Sequence, residues 1–89
     1  MHNVCMVGLA SGVALGKLGY THCSIEDIAV MRSIPNLTVV SPADCTEVVK
    51  VLQAAILYPN PMYIRLTGEA GNPIVFEDDY KFQIGKSIV

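Results

Sequence analysis

The sequence predicts an α/β fold in which a parallel β-sheet is flanked by helices. Three short β-prone segments alternate with two helical segments, and a clear strand–helix–strand pattern covers residues 37–67. The composition agrees with a folded chain, because 52% of the 89 residues are hydrophobic and only 16% are charged. These fractions exclude intrinsic disorder. They also indicate that much of the apolar surface is buried against something outside the chain.

The first predicted strand covers residues 3–9. Its apolar residues are continuous rather than alternating, as expected of a strand that is buried on both faces of a parallel sheet. The glycine-punctuated stretch 10–21 follows and predicts a loop. A loop of this length is uncommon in a small domain unless it has a function.

The first helix is predicted to begin after Ser24, which together with Asp27 matches the S-x-x-[DE] capping box. We expect this helix near residues 25–33, because Pro35 prevents its continuation. Glu26 and Asp27 lie in its first turn, where the helix dipole favours carboxylates. We therefore interpret both acids as capping residues and not as acid–base catalysts.

The strand–helix–strand unit consists of strands near residues 37–40 and 62–67 around a helix near 45–57. Asp44 is the predicted N-cap of that helix, with Glu47 as its reciprocal partner. A regular apolar stripe along the helix predicts a face that is buried on the sheet.

The C-terminal residues 80–89 follow an acidic run at 77–79, which we interpret as a solvated turn. Apolar and polar side chains alternate along them. This pattern leaves two interpretations, an edge strand or a linker.

Composition also restricts the partners. The net charge is −2 and no basic stripe occurs, so nucleic acid is not an expected partner. No apolar stretch approaches the roughly 20 residues that a membrane-spanning helix needs, and we expect no membrane association. The three cysteines are widely spaced and form no CxxC pair, which predicts neither a disulfide framework nor a zinc site. Free thiols favour a reducing compartment, and we expect a cytoplasmic protein.

Residues 19–37 resemble a signature of the transketolase family. They contain three parts of that signature in the family's order: a Gly-x-Thr-His motif, an Ile-Glu-Asp triplet and an Ile-Pro-Asn turn. The strand-to-helix turn at 41–47 and the strand at 61–66 match the pattern that follows it. The resemblance therefore covers nearly the whole chain.

The resemblance implies a thiamine-diphosphate-dependent and Mg²⁺-dependent parent enzyme, similar to transketolase or 1-deoxyxylulose-5-phosphate synthase. Such enzymes transfer a ketol or acyl unit from a keto donor to an aldehyde acceptor. They combine a diphosphate-binding domain, a pyrimidine-binding domain and a C-terminal domain. Residues 1–75 resemble the second half of the pyrimidine-binding domain, and residues 76–89 resemble the tail or linker toward the C-terminal domain.

The same resemblance implies that this chain lacks the residues that anchor the cofactor. The family's activating glutamate lies upstream of the matched region, and its metal and diphosphate site lies in another domain. No Gly-Asp-Gly motif with a downstream Asn occurs in the sequence. We therefore expect no cofactor-binding and no metal-binding residue here, and we expect the isolated chain to be inactive.

Three candidate site residues follow from the resemblance. The matching histidine of the family faces the substrate, so His22 is the candidate catalytic residue, which orients or protonates substrate oxygens. Thr21 and Cys23 beside it are candidate substrate-binding residues. The residues alone leave other interpretations open, in which His22 only hydrogen-bonds its own loop and Cys23 is a small apolar filler.

Two positions depart from the pattern of the family's sugar-phosphate enzymes. An aspartate that binds the acceptor hydroxyl is replaced by Leu18, and an arginine that binds the substrate phosphate is replaced by Gly68. Arg65 is offset from Gly68 by three residues in a strand, so its side chain is expected on the opposite face. We therefore expect a non-phosphorylated or otherwise activated substrate.

The resemblance also implies an assembly, because the family's active site forms between two subunits. We expect the chain to associate with the remaining parts of its parent enzyme or with a complementary subunit, to form a homo-oligomer or a split two-chain enzyme, and to act on a small-molecule substrate. A function of a different class is also open, in which the chain is a non-catalytic α/β module for dimerisation or interaction.

Overall fold

The structure is a computed structural model that describes residues 3–68 and 71–87. Within these residues it confirms the predicted α/β class with a parallel sheet. No helix of this part of the chain is long and apolar enough to cross a membrane. The elements, in chain order, are strand β1 (Cys5–Gly8), helix α1 (Asp27–Arg32), strand β2 (Thr38–Val40), helix α2 (Cys45–Leu57) and strand β3 (Met62–Arg65).

Strand β3 is the centre of the sheet, although it is the last strand of the described residues. Strands β1 and β2 both pair with it in parallel, which gives the order β1-β3-β2. The register aligns Cys5 and Thr38 with Met62 on either side. The carboxyl ends of all three strands therefore lie at one edge of the sheet, where the β1–α1 loop begins.

The hydrophobic core lies on the face of β3 toward α2. Met62 and Ile64 of β3 are buried there with Val51 of α2. Leu52 and Ile56 were also expected in the buried apolar stripe of α2, but both are exposed. Because side chains alternate along a strand, Tyr63 and Arg65 point to the opposite face. The partly buried hydrophobic residues around this core are Val40, Ala55, Tyr58, Leu66, Phe82 and Ile84.

Strand β1 is exposed, which contradicts the expectation of burial on both faces. Val4, Met6 and Val7 all expose more than a third of their surface. The reason is that β1 is an outer strand, and within the described residues no further strand pairs with its free edge. Ile25 and Ile28, next to and within α1, are exposed in the same way. Many apolar side chains of the described residues are therefore exposed and not buried within this chain.

Helix α1 is shorter than predicted and is not capped by Ser24. Its N-cap residue is Glu26, and no side chain caps the helix. The backbone of Ser24 instead forms an antiparallel bridge with Gly12. The capping-box interpretation of Ser24 and Asp27 is therefore wrong, because the Asp27 carboxylate has partners on β3.

Helix α2 begins at the predicted N-cap. The Oδ1 atom of Asp44 accepts a hydrogen bond from the backbone N–H of Glu47 at 2.8 Å. Its Oδ2 atom accepts from the backbone N–H groups of Val75 at 2.8 Å and Phe76 at 3.1 Å. These backbone hydrogen bonds, above all the one from Glu47, lower the pKa of Asp44 although its burial opposes them. One carboxylate thus starts the helix and fixes the segment after β3.

Residues 76–87 lie along α2, and no strand occurs in this described part of the tail. Lys50 of α2 forms an ion pair with Asp79 and donates to the carbonyl oxygen of Tyr80 at 2.7 Å. The same ammonium group lies 4.7 Å from the centroid of the Tyr80 ring, which stacks against Phe76. The edge-strand interpretation is therefore wrong for residues 80–87, and residues 88–89 lie outside the described residues.

Two isoleucines test the position of the core. Ile64 is 0% exposed and Ile56 of α2 is 78% exposed. Ile64→Ala removes buried methyl and methylene groups and is expected to lower the free energy of unfolding by about 2–5 kcal/mol. Ile56→Ala, the matched control, should change it by less than about 0.5 kcal/mol. Urea unfolding of the two variants measures this difference, and equal losses would contradict the core described above.

Candidate active site

The β1–α1 loop carries all three candidate site residues. It contains two single turns of 3₁₀ helix, Gly16–Leu18 and Tyr20–His22, where the sequence predicted irregular structure. Gly19 joins the two turns with a φ of 84°, a left-handed conformation that favours glycine. The loop is therefore built from short local turns.

Backbone hydrogen bonds close the base of this loop. Gly12 and Ser24 exchange two of them, from Gly12 N–H to the Ser24 carbonyl at 2.7 Å and from Ser24 N–H to the Gly12 carbonyl at 2.9 Å. The N–H of Ser11, a buried residue, donates to the carbonyl of Leu66 at 2.9 Å. Residues 12–24 thus form a closed loop whose first end is tied to the carboxyl end of β3.

The structure brings Thr21 and His22 into contact. The Oγ1 atom of Thr21 lies 2.9 Å from Nδ1 of His22, and the backbone N–H of His22 donates to the Gly19 carbonyl at 3.1 Å. Both side chains are exposed. The Cys23 thiol is half-buried and donates to the carbonyl of Gly19 at 3.4 Å. The imidazole and the hydroxyl are therefore accessible from outside, whereas the thiol contacts its own loop.

A buried polar network lies below the loop and was not predicted from the sequence. The Oδ2 atom of Asp27 accepts hydrogen bonds from the Tyr63 hydroxyl at 2.9 Å and from Nε of Arg65 at 2.8 Å. The side chains of Asp27 and Arg65 are 7% and 14% exposed, so the carboxylate of this ion pair is buried and the guanidinium is largely buried. The alternation in β3 could have indicated it, because it brings a tyrosine and an arginine to the face where a helix begins with an acid.

The network fixes the protonation states of its members. Burial raises the pKa of Asp27, but the hydrogen bonds from Arg65 and Tyr63 outweigh it and hold that pKa below its ordinary value. Burial and the neighbouring Asp27 carboxylate raise the pKa of the Tyr63 hydroxyl. At neutral pH, Asp27 is therefore ionised and Tyr63 is protonated, as their hydrogen bond requires.

Gly8, the last residue of β1, provides space for the Tyr63 ring. A Cβ atom at this position would lie 2.9 Å from two atoms of the ring and closer still to its hydroxyl oxygen. Any side chain here would displace Tyr63 and with it the hydrogen bond to Asp27. The network therefore depends on a glycine in the neighbouring strand.

Gly68 lies beside a cavity of about 260 Å³ at the carboxyl end of β3. The described residues that line the cavity include the Asp44 carboxylate and no lysine or arginine. A Cβ atom at Gly68 would collide with the side-chain amide of Asn72. The described residues around Gly68 thus offer no cationic side chain to this cavity.

The described residues also offer no metal centre, since no group of three or more His, Cys, Asp or Glu side chains lies close enough to hold an ion. The buried carboxylates are already engaged, Asp27 by Tyr63 and Arg65, and Asp44 by backbone amides. These side chains do not fit a metal or diphosphate site.

Comparison with known proteins identifies the family. Residues 1–72 match the family described as transketolase, pyrimidine binding domain. The chain is 42% identical over 87 residues to an apulose-4-phosphate transketolase subunit of Phocaeicola vulgatus, with 97% of this chain and 28% of that protein covered. It is 36% identical to the 6-deoxy-6-sulfo-D-fructose transketolase subunit SqwH of Clostridium sp., with 96% of this chain and 26% of that subunit covered.

A third relative is a 1-deoxy-D-xylulose-5-phosphate synthase of Dictyoglomus thermophilum, which is 34% identical over 98% of this chain and 15% of that enzyme. The chain therefore belongs to the transketolase family, and the resemblance seen in the sequence is confirmed. Thiamine diphosphate is the cofactor of this family. The chain spans 28% or less of the length of these three relatives.

The ion pair between Asp27 and Arg65 predicts how the stability of the fold changes in acid. Because its folded-state pKa is lowered, Asp27 stabilises the fold above its unfolded-state pKa, and this stabilisation is lost as the pH falls below about 4. Asp27→Asn should lower the free energy of unfolding at neutral pH by about 1–3 kcal/mol and flatten its decline in acid. Glu26→Gln, at the exposed neighbouring carboxylate, is the control. Urea unfolding across this pH range gives the two curves, and parallel curves for wild type and Asp27→Asn would contradict the prediction.

Proposed function

We propose that the chain is part of a thiamine-diphosphate-dependent transferase that moves a ketol or acyl unit from a keto donor to an aldehyde acceptor. The observation that carries this proposal is the accessible Thr21–His22 pair, held in a closed loop at the carboxyl edge of a parallel sheet. Its support from outside the structure is membership of the transketolase family and relatives named as transketolase subunits and as a 1-deoxy-D-xylulose-5-phosphate synthase.

Within that enzyme we assign residues 1–75 to the second half of the pyrimidine-binding domain and residues 76–89 to the connection toward the C-terminal domain. The family match, which covers residues 1–72, supports a boundary in this region. The hydrogen bonds from Val75 and Phe76 to Asp44 agree with it, because they attach the start of the connection to the domain.

His22 is the proposed catalytic residue, and the Thr21 hydroxyl can pair with either tautomer of its neutral ring. When the Thr21 hydroxyl donates to Nδ1, the proton of the neutral ring is on Nε2 and can be donated to a substrate oxygen. When Nδ1–H donates to Thr21, Nε2 accepts a proton instead. An imidazole can do both near neutral pH. Thr21 and Cys23 complete the proposed substrate-binding surface, with Cys23 acting through the shape of the loop.

The cofactor would be bound by other parts of the enzyme. Thiamine diphosphate supplies the electron sink for the transferred carbon unit, and Mg²⁺ would bind its diphosphate. We propose a complementary subunit or the remaining domains of the same enzyme as the source of both sites, and an oligomeric enzyme. Two relatives are named as subunits of an apulose-4-phosphate transketolase, which supports such a partner, as do the exposed apolar side chains of β1. The free thiols of all three cysteines support a cytoplasmic location.

A non-catalytic interaction module is the second candidate. The exposed apolar residues of β1 and α1 favour it, because such surface is typical of protein interfaces. One measurement distinguishes the transferase from the interaction module. The complete protein, supplied with its partner subunit, thiamine diphosphate and Mg²⁺, turns over keto donors only if the first is correct.

His22→Ala in the complete enzyme is expected to lower kcat by a factor of roughly 10²–10⁴, the usual contribution of a positioned acid–base group. Steady-state kinetics measures it. Tyr20→Phe, at an exposed residue of the same turn, is the control and should leave kcat unchanged. His22→Gln keeps a hydrogen-bonding side chain without proton transfer, so it separates orientation from protonation. Wild-type turnover in His22→Ala would contradict the assignment.

The substrate's terminal group can also be tested. Two of the relatives are named for phosphorylated sugars, but here Arg65 is bound to Asp27 and Gly68 has no side chain. A missing charge-assisted contact weakens binding by about 1.5–3 kcal/mol. We therefore expect kcat/KM to be higher for a dephosphorylated or otherwise activated acceptor than for its phosphorylated counterpart, since each 1.4 kcal/mol of lost phosphate binding is a factor of ten. A hundredfold preference for the phosphorylated acceptor would mean that another part of the enzyme binds the phosphate.

A further inference from the structure

The position of the His22 ring is set by its loop and not by direct packing. Among the described residues, the side chain of His22 forms one hydrogen bond, with Thr21 of the same turn. The Tyr20–His22 turn itself is held by the hydrogen bond from the His22 N–H to the Gly19 carbonyl. An exposed ring with only local contacts can keep a fixed position relative to the sheet only if the two ends of the loop are fixed.

Both ends of the loop are attached to β3 and its extension. The first end is attached through the Ser11 N–H, which donates to the carbonyl of Leu66. The second end leads from Ser24 into α1, whose first residue, Asp27, binds the side chains of Tyr63 and Arg65. The two ends are also joined to each other by the Gly12–Ser24 bridge described above.

We propose that Asp27 is a positioning residue for His22, which fixes the second end of the catalytic loop to the central strand. This inference rests on the proposed function of His22. Asp27 lies five positions after His22, and the intervening residues include the Ser24 end of the bridge. Any movement of the Asp27 carboxylate relative to β3 therefore moves the base of the loop.

The chemistry of the network explains why a carboxylate is required. Its Oδ2 atom accepts from two donors on the same face of β3, one neutral and one cationic. Its Oδ1 atom is buried and, within residues 3–68 and 71–87, has no hydrogen-bond partner. An amide can still accept from Tyr63, but it leaves the buried Arg65 charge without a counter-charge. The helix start would then shift toward solvent, because an unpaired buried charge is strongly unfavourable.

The test is a double-mutant cycle in the complete enzyme. Asp27→Asn alone should lower kcat by about tenfold to a hundredfold, the effect expected of a small misplacement of a catalytic group. In the His22→Ala background, the same substitution should change kcat by less than about twofold, because residues that act as one unit are not additive. Tyr63→Phe keeps the ion pair and should give a smaller loss of the same kind, even if Asp27→Asn fails to fold.

Two controls separate positioning from loss of stability. Glu26→Gln removes the neighbouring exposed charge, and Val51→Ala destabilises the core on the other side of the sheet. Both should keep the kcat of wild type per folded enzyme. Equal loss of kcat in Val51→Ala, or losses in Asp27→Asn and His22→Ala that simply add, would overturn the proposal.

A second readout does not depend on turnover. NMR of isotope-labelled histidine in the complete protein should show that Asp27→Asn shifts or broadens the ring signal of His22, whereas Glu26→Gln does not. An unchanged ring signal in a folded Asp27→Asn protein would overturn the positioning role. If the wild-type enzyme shows no thiamine-diphosphate-dependent turnover but the ring signal responds, the proposed function fails and the structural coupling holds.

Discussion

The hydrogen-bonded carboxylate of Asp27 is the interaction on which the polar side of this structure depends. It is the point where α1, the β1–α1 loop and the central strand meet, and it is charged in a place with little access to water. A buried ion pair gives modest net stability, because the desolvation of two charges offsets most of their attraction. The main effect of this ion pair is to fix the geometry of the elements that it joins. The two donors from alternate residues of β3 specify one position for the start of α1.

The two faces of β3 make different kinds of contact, one apolar and the other polar. Met62 and Ile64 pack against α2 and hold the fold together through burial of apolar surface. Tyr63 and Arg65 face the other way and bind Asp27 at the start of α1 through hydrogen bonds and charge. The period of two along a strand thus separates an apolar core from a polar network within four residues. Gly8 at the end of β1 supports the polar face, because it leaves space for the Tyr63 ring.

The features that could be predicted from the sequence are those that depend on neighbouring residues. The order of strands and helices, the extent of α2 and its Asp44 cap all follow from local patterns, and the structure agrees with them. The role of Asp27 did not follow, because a Ser-x-x-Asp pattern looks like a cap whether its acid binds its own helix or a strand 36 residues later. The burial of β1 was overestimated for a similar reason: a continuous apolar run does not reveal that its strand is an outer strand of the described sheet. The contact of Thr21 with His22 agrees with a site in this loop, while the roles of these residues and of Cys23 are predictions.

The shared use of the Asp44 carboxylate has a consequence for the way this domain opens. Its one oxygen holds the first turn of α2, and its other oxygen holds two amides of the segment that follows β3. Release of that segment deprives the carboxylate of two of its three donors, and fraying of the helix deprives it of the third. The two events are therefore thermodynamically linked, so that each favours the other. Force applied to the chain after residue 76 would therefore destabilise the first turn of α2, and through that helix the packed core. The segment after β3 is therefore mechanically coupled to α2 through one carboxylate.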